Sequence, residues 1–536
     1  MSYIVILSLV FYLLYIEVSS THALHMLQQS RYNSGLHYIK WILKNWKSNF
    51  LNINLVFILF GILQIFKFES MYIFIGLYLV LTFFYIYKRK KEVAKLPLKY
   101  THRIKRLMVT TTILYLIPLV VIYFIYDVNY LNIYYCILGF MIYINLFIVL
   151  FANVLNRPIE KLCGLYFKNK ALNKLKTMPN MEFIGITGSY GKTSTKNVVY
   201  EILNSKYNVF KTPANYNTPF GLMISINDYI DKFNDYFIAE MGACEKGEIK
   251  ELCDLVHPKY GILTRIGLAH LETFGSEEVI QKTKFELIES LPSDGLGILN
   301  GDDPKQLSYK IKNNVAIKWI GIDNQDVDIY AKDLKLSYKG ITFTVVFKKE
   351  KKEYEFTTKL LGRNNIYNIL GGIALGNHLG IDIERMQRAV SKLQPVEHRL
   401  SMTKYNDINI IDDAYNSNPM GCKMALEVLS MMPGKKMVVT PGMIEVGEKE
   451  NEVNFEFGQQ IADSVDEVIL IGKEKTKPIY DGIISKKFDK NKIHVLNDVM
   501  DAFSLIDKLK EKETYVLLEN DLPDSFSEKI RGEKKW

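Results

Sequence analysis

Residues 185–194 of this 536-residue chain read GITGSYGKTS, and this stretch decides the fold of the region around it. It follows an apolar, strand-like run and leads into a helix-like run from Lys196 to Leu203. Glycines in such a loop let backbone N–H groups face an anion, and the N-terminus of the following helix adds its dipole. Lys192 can reach the outer phosphates of a nucleoside triphosphate, and the hydroxyl of Thr193 can bind Mg²⁺. The stretch therefore predicts a phosphate-binding loop.

The pattern on either side of this loop predicts an α/β fold. From Met181 to about Gln394, short apolar runs alternate with helical patterns, which is typical of a mostly parallel sheet with helices on both faces. Two further runs in this part, Ile341–Phe347 and Lys352–Lys359, are predicted to be antiparallel strands. The alternation restarts near Pro395. We expect a central nucleotide-binding domain over 180–394 and a smaller Rossmann-like domain over 395–536.

Five apolar runs in the first 156 residues predict a helical membrane domain. Each approaches the length needed to cross the hydrocarbon core of a bilayer. The first three are short, so buried helices of a globular domain remain an alternative. So many runs in so short a stretch favour spanning helices, and we expect about five: Tyr3–Val18, Leu51–Phe66, Met71–Tyr87, Met108–Tyr126 and Tyr130–Val154.

The charges between these runs predict their orientation. The loop from Lys88 to Arg106 holds nine Lys or Arg residues and one Glu, and loops of this kind stay in the cytoplasm. Five spans then place the N-terminus outside the cell and everything after Asn156 in the cytoplasm, where ATP is available. We expect a multi-pass protein of the cell membrane. The basic loops account for much of the net charge of +9, so nucleic acid is not favoured as a partner.

Several further segments resemble those of the Mur ligase family, in the same order and at similar spacing. The compressed loop T-G-x-x-G-K-T-S is similar to the ATP loop of that family. The resemblance is closest to the MurF branch, which adds a D-alanyl-D-alanine dipeptide, and it covers about half of the chain. Its segments are TPANYNTPFG at 212–221, AEMGA at 239–243 with GEI at 247–249, TRIGLAHLETFGS at 264–276, and DDAYNSNP at 412–419.

The resemblance implies a set of nucleotide-binding residues. Arg399 resembles the arginine that reaches the transferred phosphate as the C-terminal domain closes. Asn300 matches a position that contacts the nucleotide, although a turn residue after a strand is an equal alternative. An Asx-rich turn is the alternative for the residues after 412. The implied ATP-binding residues are Gly188, Ser189, Gly191, Lys192, Thr193, Ser194, Asn300, Arg399, Asp413, Tyr415 and Asn416.

The resemblance also implies a magnesium site and a modified lysine. Thr193, Glu240 and His270 would hold Mg²⁺, the alternatives being an exposed loop acid at 240 and a structural histidine at 270. Lys284 resembles the lysine that family members carbamylate with CO₂. Lys282 competes for this role, and both lysines could instead be solvated helix charges.

The resemblance implies an ATP-dependent ligase that forms an amide between a carboxylate and an amino acid or dipeptide in cell-envelope and peptidoglycan synthesis. In the reaction that it implies, a carboxylate attacks the γ-phosphate to give an acyl phosphate, which the amine then attacks. Lys192, Lys284, His270 and Arg399 are the expected catalytic residues.

The sequence departs from the family at three places. Only residues 157–179 lie between the last apolar run and the first catalytic strand, too few for the family's UDP-sugar domain, so we expect a lipid-linked acceptor, with a UDP-linked one left open. The family's G-x-H-N segment reads GRNN at 362–365. The K-G-S-R loop of MurF enzymes is replaced by the acidic LENDLPD at 518–524, which favours a different amine.

Other functions remain as alternatives to a membrane-anchored ligase. One is a MurF enzyme acting on UDP-N-acetylmuramoyl-tripeptide, and another is a polyglutamate-type capsule synthetase. A third is a transporter or a non-catalytic scaffold that only binds ATP. The intact residues Lys192, Glu240, His270 and Arg399 argue against a degenerate site, and the apolar runs lack the charges that mark transport paths.

Overall fold

The computed structural model describes most of the chain from the central region onwards and parts of the N-terminal region. Its contacts divide the chain into a first unit up to Leu165 and a second unit, Tyr166–Leu522. The described residues are 3–30, 37–52, 98–124, 131–405, 407–414, 418–443 and 449–520, with isolated residues between 32 and 87.

The N-terminal unit is helical in its described residues. Among these, the helix over 102–121 is long and apolar enough to cross a membrane, and only 22% of it is buried. The segments 137–143 and 145–176, bent by 78° at a one-residue break, could supply a second span. The helices are α1 (Tyr3–Gln29), α2 (Ile39–Lys44), α3 (Trp46–Phe50), α4 (His102–Phe124), α5 (Leu131–Tyr143) and α6 (Asn145–Lys176), the last of which runs into the second unit.

These helices cover part of the region in which the sequence predicts a membrane domain. The described residues offer one or two candidate spans where the sequence predicts about five. The predicted spans Leu51–Phe66 and Met71–Tyr87 lie largely outside the described residues. A multi-span membrane domain therefore remains a prediction.

The second unit begins with a nine-stranded sheet in the order β2-β3-β1-β4-β5-β6-β7-β8-β9. The pairs from β2 to β7 are parallel, whereas β7, β8 and β9 pair antiparallel, as predicted for the last two. The strands are β1 (Glu182–Thr187), β2 (Val209–Lys211), β3 (Tyr236–Glu240), β4 (Tyr260–Leu263), β5 (Leu296–Asn300), β6 (Ala316–Gly321), β7 (Ile329–Ser337), β8 (Gly340–Phe347) and β9 (Lys352–Thr358).

Helices cover both faces of this sheet. They are α7 (Lys192–Leu203), α8 (Pro219–Ile224), α9 (Glu248–Val256), α10 (Leu271–Phe274), α11 (Glu277–Glu289), α12 (Pro304–Leu307), α13 (Asn364–His378) and α14 (Ile383–Ser391).

Successive side chains of β1 point to opposite faces, as the pleat of a strand requires. Ile184 and Ile186 are buried in one apolar cluster with α7 and α13, and Phe183 in another with α9 and α11. Strands covered on both faces are apolar throughout, so the polar residues collect at their ends. After β1 the chain forms β2 and β3 on one side of β1, and it later forms β4 on the other side. In a sheet of this kind, a ligand crevice lies at the carboxyl ends of the strands where the chain changes sides, here β1, β3 and β4.

A second sheet of six strands follows in the order β10-β11-β15-β12-β13-β14. Only β10 is antiparallel to its neighbour, so this part is also an α/β structure with a mostly parallel sheet. Its elements are β10 (Ser401–Tyr405), β11 (Ile408–Asp413), α15 (Pro419–Ser430), β12 (Lys435–Thr440), α16 (Glu450–Ala462), β13 (Glu467–Ile471), α17 (Lys477–Ser485), β14 (Ile493–Leu496), α18 (Val499–Leu509) and β15 (Thr514–Glu519).

Candidate active site

The phosphate-binding loop is held against the segment that follows β4. The backbone N–H groups of Ser189 and Tyr190 donate to the carbonyl oxygen of Arg265, at 2.7 and 3.4 Å. Gly188 has a φ of +148°, and a Cβ at this position would lie 1.9 Å from Oγ1 of Thr264. Only glycine fits a backbone of this conformation in so close a contact. The glycine that the sequence singled out is therefore required by the packing of two strand ends.

Lys192 folds back over this loop. Gly191, with a φ of +83°, precedes the first residue of α7, so the helix begins at Lys192 itself. The Nζ atom of Lys192 donates to the carbonyl oxygens of Gly188 and Ser189, at 2.8 and 3.0 Å. Burial lowers the pKa of Lys192 to about 8, although the negative charge of Glu240 opposes the shift. The lysine thus lies over the predicted phosphate-binding loop, bonded to two of its carbonyl oxygens.

Glu240, the last residue of β3, is the centre of a buried polar cluster. Its Oε1 atom accepts hydrogen bonds from Oγ1 of Thr193 at 3.2 Å and from Nδ2 of Asn217 at 3.1 Å. Its Oε2 atom lies 2.9 Å from Nζ of Lys196. Burial by itself would raise the pKa of Glu240, but the charges of Lys196 and Lys192 and the hydrogen bonds outweigh it and lower the pKa. The carboxylate is therefore charged and fixed in orientation.

Thr193 and Glu240 fit a magnesium site. Their oxygen atoms are 3.2 Å apart, close to the edge of about 2.9 Å between neighbouring ligands of an octahedral ion with bonds of about 2.0–2.1 Å. Among the residues that the structure describes, no group of three or more His, Cys, Asp or Glu side chains could hold a metal. Two protein oxygens completed by water and phosphate are the usual way in which proteins bind Mg²⁺.

His270 belongs to the same segment as Arg265, which contacts the phosphate-binding loop. It directly precedes α10 and has a left-handed backbone, with a φ of +58°. Its role as a metal ligand remains a prediction.

The two lysines that competed for carbamylation have different environments. Lys284 on α11 is buried, and its Nζ atom donates to the carbonyl oxygen of Ala243 at 3.3 Å. It also lies 5.5 Å from the centre of the Phe274 ring. Burial, with a contribution from the charge of Lys192, lowers the pKa of Lys284 to about 7. Lys282 on the same helix is exposed. Of the two, Lys284 has the environment of a reactive amine.

One cavity brings together predicted nucleotide residues from both sheets. The first sheet and its helices contribute Gly191, Ser194 and Asn300, and the chain around the second sheet contributes Arg399 and Asp413. These residues are far apart in sequence, and their common cavity is also lined by Tyr190 of the phosphate-binding loop. The arrangement can hold a nucleotide between the two sheets.

Asp413 ends β11 inside this cavity. The backbone N–H of Leu400 donates to its Oδ1 atom at 3.1 Å, and Nδ1 of His398 lies 2.7 Å from Oδ2 of the preceding Asp412. Burial raises the pKa of Asp413 to about 6, although the nearby guanidinium of Arg399 opposes the shift. The two carboxylates thus fix the chain on both sides of Arg399.

Sequence reasoning did not assign several residues to the site. Asn364 and Asn365, the last two residues of the GRNN segment, and Asn368 lie in the first turns of α13 and line the cavity. Oγ1 of Thr195 donates to Oδ1 of Asn368 at 2.9 Å, which ties α13 to the phosphate-binding helix. Three asparagines at helical spacing on one face were a detectable signal. Lys196 was also missed, since its partners lie in other segments.

Some predicted residues cannot be compared with the structure. Tyr415 and Asn416 lie outside the described residues, as does the acidic segment 521–524. The last described residue in that region, Asn520, donates from Nδ2 to the carbonyl oxygen of Gly442 at 2.6 Å.

Two family models match the chain. Residues 186–376 match the Mur ligase middle domain, and residues 398–519 match the domain described as Mur ligase, glutamate ligase domain. The two ranges contain the phosphate-binding loop, Glu240, Lys284 and Arg399.

Named relatives cover much of the same region. The UDP-N-acetylmuramoyl-tripeptide–D-alanyl-D-alanine ligase of Bacillus subtilis strain 168 is 32% identical over 339 residues, 62% of this chain and 72% of that protein. The Escherichia coli K12 protein of the same name is 29% identical and is matched over 54% of this chain and 64% of its own length.

Solved structures show the same fold. The MurF ligase from Thermotoga maritima in complex with ADP superposes with a TM-score of 0.58 and 27% identity, over 66% of this chain and 80% of that one. A MurF structure from Acinetobacter baumannii has a TM-score of 0.60 and 22% identity, over 68% and 79% of the two chains.

Proposed function

The chain belongs to the Mur ligase family and is an ATP-dependent enzyme that forms C–N bonds, and we propose that it acts as a MurF-type ligase in peptidoglycan synthesis. Its acceptor is then the carboxylate of a UDP-linked muramoyl-tripeptide, and its amine substrate is D-alanyl-D-alanine. The observation that carries this proposal is the 32% identity with the Bacillus subtilis enzyme of that name. The acceptor and amine follow the names of such relatives, rather than the lipid-linked acceptor expected from the sequence.

The proposed reaction has two steps. A carboxylate oxygen attacks the γ-phosphorus of ATP, the bond to the β,γ-bridging oxygen breaks, and an acyl phosphate and ADP form. The amine nitrogen then attacks the acyl carbon, loses a proton, and inorganic phosphate leaves. Carboxylate and phosphate repel one another, so Lys192 and Arg399 stabilise the first transition state by their positive charge. The cavity between the sheets supports this order, because it joins Arg399 to the phosphate-binding loop.

We assign the magnesium site to Thr193 and Glu240, with His270 as a further ligand. The 3.2 Å separation of the two oxygen atoms supports the assignment of the first two residues. When bound, Mg²⁺ offsets the charge of the phosphate oxygens. The low pKa of Glu240 keeps its carboxylate available as a ligand at neutral pH.

We propose that Lys284 is carbamylated. A neutral amine attacks CO₂ and loses a proton to give an anionic carbamate, and the burial that lowers the pKa of Lys284 favours the neutral amine. The positive charge of Lys192 lies close enough to contribute to this shift, and the same charge would stabilise the carbamate.

We also propose that the ligase is anchored to the cell membrane through residues 1–156, with its N-terminus outside and its catalytic domains, 180–394 and 395–536, in the cytoplasm. The apolar helix over 102–121 supports an anchor, and the basic loop between 88 and 106 supports the orientation. The family models begin at residue 186, so this region precedes the matched domains.

A lipid-linked carboxylate is the second candidate acceptor. The observation that favours it is the candidate membrane span at 102–121, which would hold the catalytic domains close to such a substrate. The Bacillus subtilis and Escherichia coli relatives, in contrast, are named for a UDP-linked acceptor.

The test uses the full chain in detergent with ATP and Mg²⁺. UDP-N-acetylmuramoyl-tripeptide and a bacterial lipid extract are offered separately, each with D-alanyl-D-alanine and with a pool of amino acids. Mass spectrometry should show the dipeptide added to the UDP-linked acceptor, with one ADP released for each product. A product on the lipid fraction alone would replace the first proposal by the second.

A non-catalytic scaffold is tested by Lys192→Ala. We expect the variant to remain folded and to lose product formation by a factor of about 10²–10³, the usual effect of removing a group that stabilises charge in a transition state. A scaffold would show no product with either protein, while ATP would still bind to the unaltered chain.

A further inference from the structure

Lys196 is a buried lysine for which neither the predicted chemistry nor the comparisons provide a role. It lies one turn after the phosphate-binding loop on α7 and is only 2% exposed. Its Nζ atom lies 2.9 Å from Oε2 of Glu240 and donates to the carbonyl oxygen of Ala214 at 2.6 Å. A buried ammonium group is costly unless its partners are well placed, and this one joins a strand end to a loop.

The two oxygen atoms of Glu240 are divided between different partners. Oε2 faces Lys196, and Oε1 faces Thr193 at 3.2 Å. A carboxylate is free to turn about its last side-chain bond, and here Lys196 at Oε2 and Nδ2 of Asn217 at Oε1, 3.1 Å away, limit that rotation from both ends. Lys196 supplies the charged partner on the side away from Thr193, which leaves Oε1 directed toward the hydroxyl of Thr193.

The same lysine fixes the loop between β2 and α8, residues 212–218. Ala214 has a left-handed backbone with a φ of +41°, a conformation that needs support in a residue other than glycine. Its carbonyl oxygen receives the hydrogen bond from Lys196. The loop contacts Glu240 twice more, through Oγ1 of Thr212, which accepts from the Glu240 N–H at 3.2 Å, and through Asn217. The position of the loop is therefore coupled to the orientation of the carboxylate.

We propose that Lys196 is a positioning residue for the magnesium site, holding Oε2 of Glu240 so that Oε1 faces the ion beside Thr193, and coupling the loop at 212–218 to that orientation. This inference rests on the proposed assignment of Thr193 and Glu240 to Mg²⁺. Groups that orient a metal ligand commonly contribute a factor of 10–100 to metal affinity or activity.

The test measures how strongly Mg²⁺ enhances ADP binding in the full chain, by calorimetric titration with and without the ion. We expect Lys196→Met to reduce the enhancement by at least about tenfold while ADP binding without Mg²⁺ is unchanged. A lysine that serves only as a core ion pair would lower thermal stability and leave the ratio of the two affinities as it is.

The matched control is Lys435→Met. Lys435 also joins a carboxylate to a backbone carbonyl, with Nζ 3.5 Å from Oε1 of Glu467 and 3.0 Å from the carbonyl oxygen of Leu509, but it lies in the second sheet. We expect this variant to lose stability and to keep the full enhancement by Mg²⁺.

Two further variants distinguish an error in the magnesium assignment from an error in the role of Lys196. Glu240→Gln should lose the enhancement, and if it does not, the assigned magnesium site is wrong whatever Lys196 does. If Lys196→Met does not fold, Lys196→Arg keeps the charge but changes its geometry, and it should weaken the enhancement. If a folded Lys196 variant keeps the full enhancement of ADP binding by Mg²⁺ while Glu240→Gln loses it, the proposed role of Lys196 is wrong and the magnesium assignment stands.

Discussion

Lys192 and Lys284 show how burial changes the chemistry of a lysine. Burial lowers their pKa values to about 8 and about 7, and the charge of Lys192 lowers the pKa of Lys284 further. At neutral pH a substantial share of Lys284 is therefore the free amine, which is the form that reacts with CO₂. Lys282, two residues away, is exposed and lacks this environment.

The first prediction concerns this amine. In the presence of ¹³C-bicarbonate, the protein should show a carbamate resonance by NMR, and the resonance should weaken as the pH falls from about 8 to about 6, because Lys284 becomes protonated. Lys284→Met should abolish the resonance and Lys282→Met should preserve it. A resonance that survives in Lys284→Met would assign the carbamate to another amine.

Asp413 gives a second prediction, on stability. Its pKa is raised from 3.8 to about 6, so the folded protein holds this proton more tightly than the unfolded chain does. The ionised carboxylate therefore lowers stability at all pH values above about 6, and this loss disappears as the pH falls toward 4. Asp413→Asn should raise the midpoint of thermal unfolding by about 2 °C or more at pH 8.

The pH dependence separates this effect from a general change in packing. The difference between Asp413→Asn and the unaltered protein should shrink steadily below about pH 6. Differential scanning fluorimetry in detergent at several pH values measures it. An equal difference at all pH values would mean that ionisation of Asp413 does not destabilise the fold.

Among the elements, the turn between β1 and α7 depends most strictly on its sequence. A side chain at Gly188 would meet Thr264 at 1.9 Å, and the backbone there has a φ of +148°. Gly188→Ala should lower the free energy of unfolding by about 1–3 kcal/mol and weaken ADP binding, because the loop must move away from β4. Thermal unfolding and calorimetric titration measure the two effects.

Gly164 provides the control for that substitution. It lies in α6, and a Cβ at this position would have no atom within 4 Å. Gly164→Ala should leave ADP binding unchanged and should raise stability slightly, since alanine is favoured over glycine in a helix. Equal losses in both variants would mean that the contact with Thr264 is not the cause.

How far the sequence predicts each element depends on where its partners lie. The phosphate-binding loop and the antiparallel strands β8 and β9 are predictable, because their glycines and apolar alternation are local signals. Lys196 is not, because its partners at 214 and 240 belong to two other segments. Asn368 is similar, since it lies 173 positions from its partner Thr195 in the sequence. Contacts between distant segments have no local pattern.

The N-terminal region shows the opposite difficulty. Its apolar composition is easy to recognise, and the helix over 102–121 agrees with one predicted span. The number of spans is harder to obtain, because short apolar runs are compatible with both buried and spanning helices.

The start of helix α7 differs from its prediction by four residues. The sequence predicts a helical run from Lys196, but Gly191 ends the loop and the helix begins at Lys192.

At the scale of the whole molecule, we expect the full chain to be membrane-bound and the second unit by itself to be soluble. The full chain is expected to remain in the membrane fraction after alkaline carbonate extraction, because a span near 102–121 resists release. A shorter chain beginning at Tyr166, where the second unit starts, should appear in the supernatant and still bind ADP. Release of the full chain by carbonate would contradict the proposed anchor.

The short connection between the two sheets has a consequence for turnover. Arg399 stands between His398 and Leu400, whose φ values are +59° and +48°, and the neighbouring bonds to Asp412 and Asp413 hold them there. This is the one covalent crossing between β9, with its following helices, and β10. Because its last residues are tied to the second sheet, a rotation of one sheet against the other would bend the chain before His398 and carry Arg399 with the second sheet. On the proposed mechanism, opening the cleft to release ADP would withdraw the guanidinium from the phosphate in the same movement, and closing it on fresh ATP would restore it.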